Sequence, residues 1–196
     1  MFNRLTLGFS YLLALVIMTA GCGGPLDQEP PRSLPGTTTT VIMVRHAERD
    51  EGLDPPLNDE GIVRAQALAE VLEVNGVTAI YCPDLLRNRQ TCEAVSDRLG
   101  VPVTLIETLR LADTRTLAND LAEEFVRDHS GGVVLFVGNT GPVVGDLSGN
   151  LQELYDRLGG DNDPPIRYRD LYVIVIPEEG DPHIVKATYG GASTLD

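Results

Sequence analysis

Tryptophan is absent from this sequence of 196 residues, and cysteine, histidine and methionine occur only three times each. Basic residues are also few, because 15 lysines and arginines stand against 29 aspartates and glutamates, giving a formal net charge of −14. This imbalance excludes nucleic acid as an expected partner, since most of the surface would repel a phosphate backbone. Any anion site must therefore be a local pocket. No cluster of metal-ligand residues is visible, so neither a metal nor another cofactor is expected.

An apolar run of the ~20 residues that a membrane-spanning helix needs is also lacking. The apolar stretch near the start runs only over residues 11–18, after Arg4 and before Thr-Ala-Gly-Cys at residues 19–22. This order is typical of an export signal, here residues 1–21. A cysteine directly after Ala-Gly resembles the bacterial lipobox. Cys22 is therefore the expected lipid attachment site of a protein anchored in the bacterial cell envelope, facing the periplasm or the exterior; the alternative is soluble secretion.

Prolines and glycines dominate residues 22–38, which are predicted to form a flexible tether to a single domain over residues 39–196. If Cys22 carries lipid, Cys82 and Cys92 remain as a pair that an oxidising compartment would allow to form a disulfide. The alternative is that both are small buried apolar side chains, as free cysteines usually are.

Strand and helix patterns alternate from residue 40 onward. Strands are predicted at residues 40–44, 78–81, 101–106, 132–137, 171–176 and 184–187, and helices at residues 57–74, 83–99, 116–127 and 143–158. Asn58 is the expected cap of the first helix, and Pro83 is expected to open the second. The alternation predicts an α/β domain with a mainly parallel sheet and helices on both faces. The last two strands are expected to add an antiparallel edge.

Three short motifs stand near the strand ends, where ligands bind in such sheets. Residues 45–48 follow the first strand and read Arg-His-Ala-Glu, and residues 87–91 follow the second strand and read Arg-x-x-Gln-Thr. Between them, residues 57–65 read Leu-x-x-x-Gly-x-x-Arg-Ala at the start of the first helix. In this order and context, the motifs resemble those of the histidine phosphatase (phosphoglycerate-mutase-like) superfamily.

The resemblance implies a phosphatase that hydrolyses phosphomonoesters. His46 would attack phosphorus as a neutral imidazole, with its other ring nitrogen held by an acceptor, and water would hydrolyse the phosphohistidine. Arg45 and Arg87 would hold the phosphoryl oxygens, because a guanidinium group donates several hydrogen bonds to one anion. Backbone N–H groups at the start of the second helix would also donate hydrogen bonds to the phosphoryl oxygens.

One motif departs from the superfamily pattern. After the fourth strand the superfamily carries Gly-His, whereas residues 138–142 here read Gly-Asn-Thr-Gly-Pro. Either Asn139 replaces the histidine or two residues have been lost before the Asn-Thr pair, and both alignments remove the second catalytic histidine. An amide still donates a hydrogen bond but brings no positive charge, and losing such a group costs about 10²–10³ in rate. An impaired enzyme is therefore expected.

The remaining site expectations concern residues after the strands. Glu107 is the expected proton donor to the leaving group, with Asp113 in the same loop. Glu48 and Arg49 are expected at the mouth of the site, with Glu48 and Thr140 as substrate contacts.

Two other histidines, His129 and His183, are candidates to take the place of the missing one. His129 precedes the fourth strand and so is expected at the wrong end of the sheet, while the direction of the strand that begins at His183 is left open. The expected partner is a small phosphorylated substrate or a phosphorylated protein. One alternative is an inactive envelope lipoprotein that binds phosphate or a phosphoprotein, and another is a fold kept only for protein contacts.

Overall fold

The computed structural model describes residues 28–141 and 149–196, so the predicted signal segment and Cys22 lie outside the described residues. The strands are β1 (Thr38–Arg45), β2 (Val77–Pro83), β3 (Val103–Ile106), β4 (Val133–Gly138), β5 (Asp170–Pro177) and β6 (His183–Thr188). The helices are α1 (Asp59–Leu72), α2 (Leu86–Leu99), α3 (Thr114–Asp128) and α4 (Asn150–Arg157), with a short 3-10 helix at Thr108–Ala112. The first part of the predicted fourth helix falls within residues 142–148, outside the described residues.

The strands form one sheet in the order β3-β2-β4-β1-β5-β6. Strands β1, β2, β3 and β4 are parallel, while β5 runs antiparallel to β1 and β6 antiparallel to β5. The predicted α/β class, mainly parallel sheet and antiparallel edge are therefore confirmed. The carboxyl ends of the four parallel strands meet along one edge, where the motif residues also lie. In the described ranges, no helix is both long and apolar enough to cross a membrane.

Apolar side chains cover both faces of the sheet. Helices α1 and α2 pack on one face, with Val44, Leu68 and Val95 in the shared cluster. Helices α3 and α4 pack on the other, around Phe125 and Phe136. Cys82 and Cys92 are free thiols, and both are fully buried in the cluster beneath α1 and α2. They pack as small apolar side chains, and burial raises the pKa of the Cys92 thiol.

The start of α2 differs from the prediction. Pro83 does not open the helix, because it extends β2 and pairs with Ile106 of β3. The helix begins at Leu86, whose backbone N–H donates to the Asp54 carboxylate at 2.9 Å. A side chain 32 residues away in sequence therefore takes the capping role that local pattern cannot reveal. The predicted cap of α1 is observed, since the Asn58 side chain accepts from the Gly61 N–H at 2.9 Å.

The stretch predicted as a flexible tether packs against the sheet over part of its length. Ser33 is buried, its backbone N–H donates to the Pro177 carbonyl at 3.0 Å, and its hydroxyl contacts Thr39 at 2.7 Å. These bonds satisfy polar groups at the end of β5 and the start of β1, so the chain is fixed from about Ser33 onward. Residues 22–27 of the stretch lie outside the described residues.

Candidate active site

His46 lies just beyond the carboxyl end of β1 and is only 3% exposed. Its backbone N–H donates to the Gly138 carbonyl at the end of β4, at 3.0 Å. The next residue, Ala47, donates its N–H to the Thr91 hydroxyl of α2 at 3.0 Å. These two bonds fix the histidine between the neighbouring strand end and α2, so the position of its ring is set by the backbone.

The His46 ring is held in one tautomer. Its Nδ1 lies 2.8 Å from the carbonyl oxygen of Ala47, which can only accept, so Nδ1 carries the proton and Nε2 keeps a free lone pair. Burial, together with the nearby charges of Arg45, Arg87 and Arg49, lowers the pKa of His46 from 6.5 to about 3. The imidazole is therefore neutral at physiological pH, as a nitrogen nucleophile must be.

Arg45 is anchored by the segment that precedes β5. Its guanidinium donates to the Ile166 carbonyl at 2.9 Å and to the Tyr168 hydroxyl at 3.1 Å, and its central carbon lies 3.9 Å from the centroid of the Tyr168 ring. The Nε of Arg45 is buried and has no partner among the described residues. One donor of this side chain is thus unused inside the site.

Arg87, the second residue of α2, is 6% exposed. It donates to Asp54 at 3.1 Å and to the amide oxygen of Asn139 at 3.1 Å, while its Nε is buried without a described partner. Burial lowers the pKa of both Arg45 and Arg87, yet guanidinium groups remain charged in proteins. Two cations, the buried Arg87 and the half-buried Arg45, thus lie near His46 in a chain whose overall charge is strongly negative.

Asn139 directly follows β4, and its backbone is fixed on both sides. Its backbone N–H donates to the Asn150 side chain at 2.8 Å, and its carbonyl accepts from Leu151 at 3.2 Å. Because Arg87 can only donate, the amide oxygen of Asn139 must face it, which leaves Nδ2 buried and without a described partner. Buried donors of this kind are the groups that an oxyanion would satisfy.

Glu48, expected as a substrate contact at the mouth of the site, is instead fully buried. Both of its carboxylate oxygens accept from Arg64 Nε, at 2.6 and 2.8 Å, and Arg64 also donates to the carbonyls of Tyr189 and Gly191. The pair ties the loop after His46 to α1. Gly61 allows α1 to approach this loop closely, since a Cβ there would lie 2.0 Å from the Glu48 carbonyl oxygen.

The motif at residues 57–65 therefore holds the loop that follows His46 in place.

The expected proton donors do not meet the histidine. Glu107 is exposed at the end of β3, and β2 and β4 separate that strand from β1. Asp113 caps α3, accepting from the N–H and hydroxyl of Thr116 at 3.0 and 2.7 Å. These bonds hold the pKa of Asp113 below its usual value, which is the opposite of what a general acid needs.

The remaining candidate residues are Thr140, His129 and His183, and the two histidines lie away from the site. Thr140 follows Asn139 and is half-buried. His129 lies before β4 and contacts the Tyr81 hydroxyl at 2.7 Å, at the opposite end of that strand from Asn139. His183 pairs with Val175 at the end of the β5–β6 hairpin that lies away from His46, so the structure does not bring it into the site. Within residues 28–141 and 149–196, no three histidine, cysteine or acidic side chains come together as a metal-ligand group.

Two residues in contact with the site carried no motif signal. Asp54 binds Arg87 and the start of α2, and Tyr168 stacks under Arg45 with its ring edge toward His46, at 5.9 Å between centroids. Both reach the site only through the tertiary fold, so periodicity and motif spacing could not have found them.

Known proteins that are similar in sequence belong to the superfamily that the three motifs resemble. Residues 41–130 match the model of the histidine phosphatase superfamily (branch 1). Over 128 residues the chain is 30% identical to the protein named "Probable phosphoglycerate mutase GpmB" of Salmonella paratyphi A, an alignment that covers 60% of this chain and 59% of that protein. The chain thus has homologues in the histidine phosphatase superfamily, including phosphoglycerate-mutase-like proteins, and it spans only about three fifths of the length of those curated relatives.

Solved structures show the same fold. The protein histidine phosphatase SixA, complexed with tungstate, superposes with a TM-score of 0.59 at 16% identity, over 76% of this chain and 96% of that one. A phosphoglycerate mutase from Bacillus anthracis superposes with a TM-score of 0.54 at 15% identity, over 77% and 93% of the two chains. The fold of this chain is therefore that of the histidine phosphatases and phosphoglycerate mutases.

Proposed function

We propose that this protein is a phosphatase that works through a phosphohistidine at His46, with a rate reduced by the loss of the second histidine. The observation that carries the proposal is the His46 ring, which is buried, neutral and fixed with a free Nε2 near Arg45 and Arg87. The lone pair of Nε2 would form a bond to phosphorus while the bond from phosphorus to the leaving oxygen breaks. Water would then attack the phosphohistidine, releasing inorganic phosphate and restoring the neutral imidazole.

The charge that develops on the phosphoryl oxygens would be stabilised by Arg45, Arg87 and the free Nδ2 of Asn139. Asparagine can supply a hydrogen bond there but no charge, and the typical cost of removing such a donor is about 10²–10³ in rate. Because neither Glu107 nor Asp113 is placed to protonate a leaving group, the best substrates would be those whose leaving group departs without a proton. Aryl phosphates have this property, because phenolate is a stable anion. A protein phosphohistidine has it once its other ring nitrogen is protonated, because neutral imidazole then leaves.

A second candidate function is phosphate or phosphoprotein binding without turnover. The observation that favours it is the state of Arg87, because Asp54 and the Asn139 oxygen already accept from its two terminal nitrogens. A ligand would have to displace Asp54 or use the remaining donors. In either case the partner would be a small phosphorylated molecule or a phosphorylated protein.

The proposed location is the bacterial cell envelope, with a lipid on Cys22 and the domain facing the periplasm or the exterior. Support comes from the order of residues 4–22 alone. Labelling cells with radioactive palmitate tests this. The wild-type chain should take up label and Cys22→Ser should not, whereas equal labelling of both would contradict the anchor.

The function is tested by phosphate release from an aryl phosphate by the wild type, His46→Ala and Asn139→His. Slow release that disappears in His46→Ala would support the enzyme, as would an acid-labile, alkali-stable phosphoryl label on the wild type. Release that survives in His46→Ala would contradict the mechanism. If the wild type binds phosphate without turnover while Asn139→His gains turnover, the natural protein is a binder.

A further inference from the structure

Tyr168 is a buried polar side chain in the site that the mechanism above does not use. It precedes β5 and is 5% exposed. Its ring stands edge-on to His46, with an interplanar angle of 61°, and the Arg45 guanidinium lies over its face. Its backbone N–H is held by the Asp196 side chain at 2.8 Å. The position of the ring is therefore fixed from several sides.

The hydroxyl of Tyr168 is able to donate a hydrogen bond to a ligand. Its oxygen accepts from Arg45 at 3.1 Å, and a phenol can also donate one hydrogen bond. No acceptor for that proton is found in the part of the chain that the structure describes. Tyr81 shows the usual arrangement for comparison, since its hydroxyl lies 2.6 Å from the Glu124 carboxylate. A buried hydroxyl that lacks an acceptor in a site rich in cations fits an anionic ligand.

The hydroxyl also lies beside the proposed phosphate-binding residue Arg45, at 3.1 Å from its guanidinium. Arg45 and Arg87 both lie near His46, whose pKa their charges lower. An oxyanion that accepts from Arg45 and Arg87 together would lie beside this hydroxyl.

We propose that the Tyr168 hydroxyl donates a hydrogen bond to a phosphoryl oxygen of the ligand, as a further catalytic residue of this site. The inference rests on the proposed function, because it takes the ligand to be a phosphoryl group held by Arg45 and Arg87. Tyr168 and Asn139 Nδ2 would together supply two neutral donors where the superfamily has a histidine. Both donors are neutral, so they would add hydrogen bonds to the phosphoryl oxygens without adding a positive charge.

The experiment measures the affinity of the full chain for vanadate, an oxyanion that resembles the phosphoryl group in transfer. Tyr168→Phe keeps the ring under Arg45 and removes only the hydroxyl. We expect it to bind vanadate about 10- to 100-fold more weakly, since hydrogen bonds to charged groups are worth that much. The matched control is Tyr189→Phe, which removes another buried hydroxyl without a described partner and should bind like the wild type.

A double-mutant cycle separates direct contact from an effect through Arg45. In the background of Arg45→Gln, Tyr168→Phe should still weaken binding by at least several-fold, because the hydroxyl contacts the ligand itself. If the second change has no effect in that background, Tyr168 only positions Arg45 and the proposal is wrong. Wild-type affinity in Tyr168→Phe, or no vanadate binding by the wild type, would also overturn it. Thermal unfolding of each variant checks that the fold is kept.

The two proposals fail in different ways. If the wild type hydrolyses an aryl phosphate through His46 while Tyr168→Phe matches it in vanadate affinity and in kcat, only the inference about Tyr168 is wrong. If the wild type turns nothing over but binds vanadate, and Tyr168→Phe binds it weakly, the hydroxyl contact stands and the enzymatic function is wrong.

Discussion

Acidification should destabilise the wild-type protein more than it destabilises His46→Gln. Burial and three nearby arginines lower the pKa of His46 to about 3 in the folded state, whereas the unfolded chain has the ordinary value of 6.5. Between these two values the unfolded state binds more protons than the folded state. Stability contributed by this pKa difference is therefore complete above about pH 6.5 and is lost progressively as the pH falls toward about 3.

The size of the effect follows from the two pKa values. At about pH 5 the histidine is almost fully protonated in the unfolded chain and almost fully neutral in the folded protein. The free energy of unfolding is therefore lowered by the difference between pH 5 and the unfolded pKa, which is about 1.5 pH units, or about 2 kcal/mol. Glutamine does not titrate, so His46→Gln lacks this contribution at every pH. All other groups titrate alike in both proteins to a first approximation, and their contributions cancel when the two proteins are compared.

The assay is urea unfolding of both proteins at about pH 7.5, 6 and 5, with the free energy extrapolated to water. Between about pH 7.5 and pH 5, the free energy of unfolding of the wild type should fall by about 2 kcal/mol more than that of His46→Gln. His183→Gln is the control, because His183 is exposed on β6, and its pH dependence should follow that of the wild type. Equal losses in the wild type and His46→Gln would refute the claim that His46 is held neutral.

Three further changes test the support of the site. Glu48→Gln should cost about 3–5 kcal/mol in urea unfolding, because it leaves Arg64 buried without its counter-charge; a loss under about 1 kcal/mol would contradict this. Gly61→Ala should cost about 1–3 kcal/mol in the same assay, since the added methyl group overlaps the Glu48 carbonyl, and wild-type stability would refute the close approach. Asp54→Asn should bind phosphate several-fold more tightly in calorimetry, because it frees Arg87 from a competing carboxylate; weaker binding would show that Asp54 mainly orients the arginine.

The sequence predicted the central part of the site because its residues follow buried strands. Arg45 and His46 end the apolar run of β1, and Arg87 starts the helix after β2, so a parallel sheet brings them together at one edge. The alternation of patterns was enough for the fold class and for the antiparallel β5–β6 edge. Asn139 was found in the same way, as the residue that follows β4.

The roles of the acidic residues could not be predicted, since they depend on which element packs beside each side chain. Glu48 is two residues from the histidine in sequence, yet its carboxylate turns to Arg64 once α1 docks against the loop. Asp54 reaches Arg87 from a loop whose Pro-Pro sequence indicates only a turn. Tyr168 comes from the segment before β5, and its contact with Arg45 spans 123 residues. Such contacts become visible only when the sheet is assembled.

The proposed replacement of the superfamily's histidine by Asn139 would change Arg87 as well as the position itself. A protonated imidazole beside Arg87 would repel the guanidinium, whereas the amide oxygen of Asn139 accepts from it at 3.1 Å. One terminal nitrogen of Arg87 that could donate to a phosphoryl oxygen therefore donates to Asn139 instead, and the other terminal nitrogen donates to Asp54. Restoring the histidine in Asn139→His would therefore remove that partner and return a charge at once. The gain in rate should exceed what a single added hydrogen bond could give, which is why this variant separates a weakened enzyme from a binder so clearly.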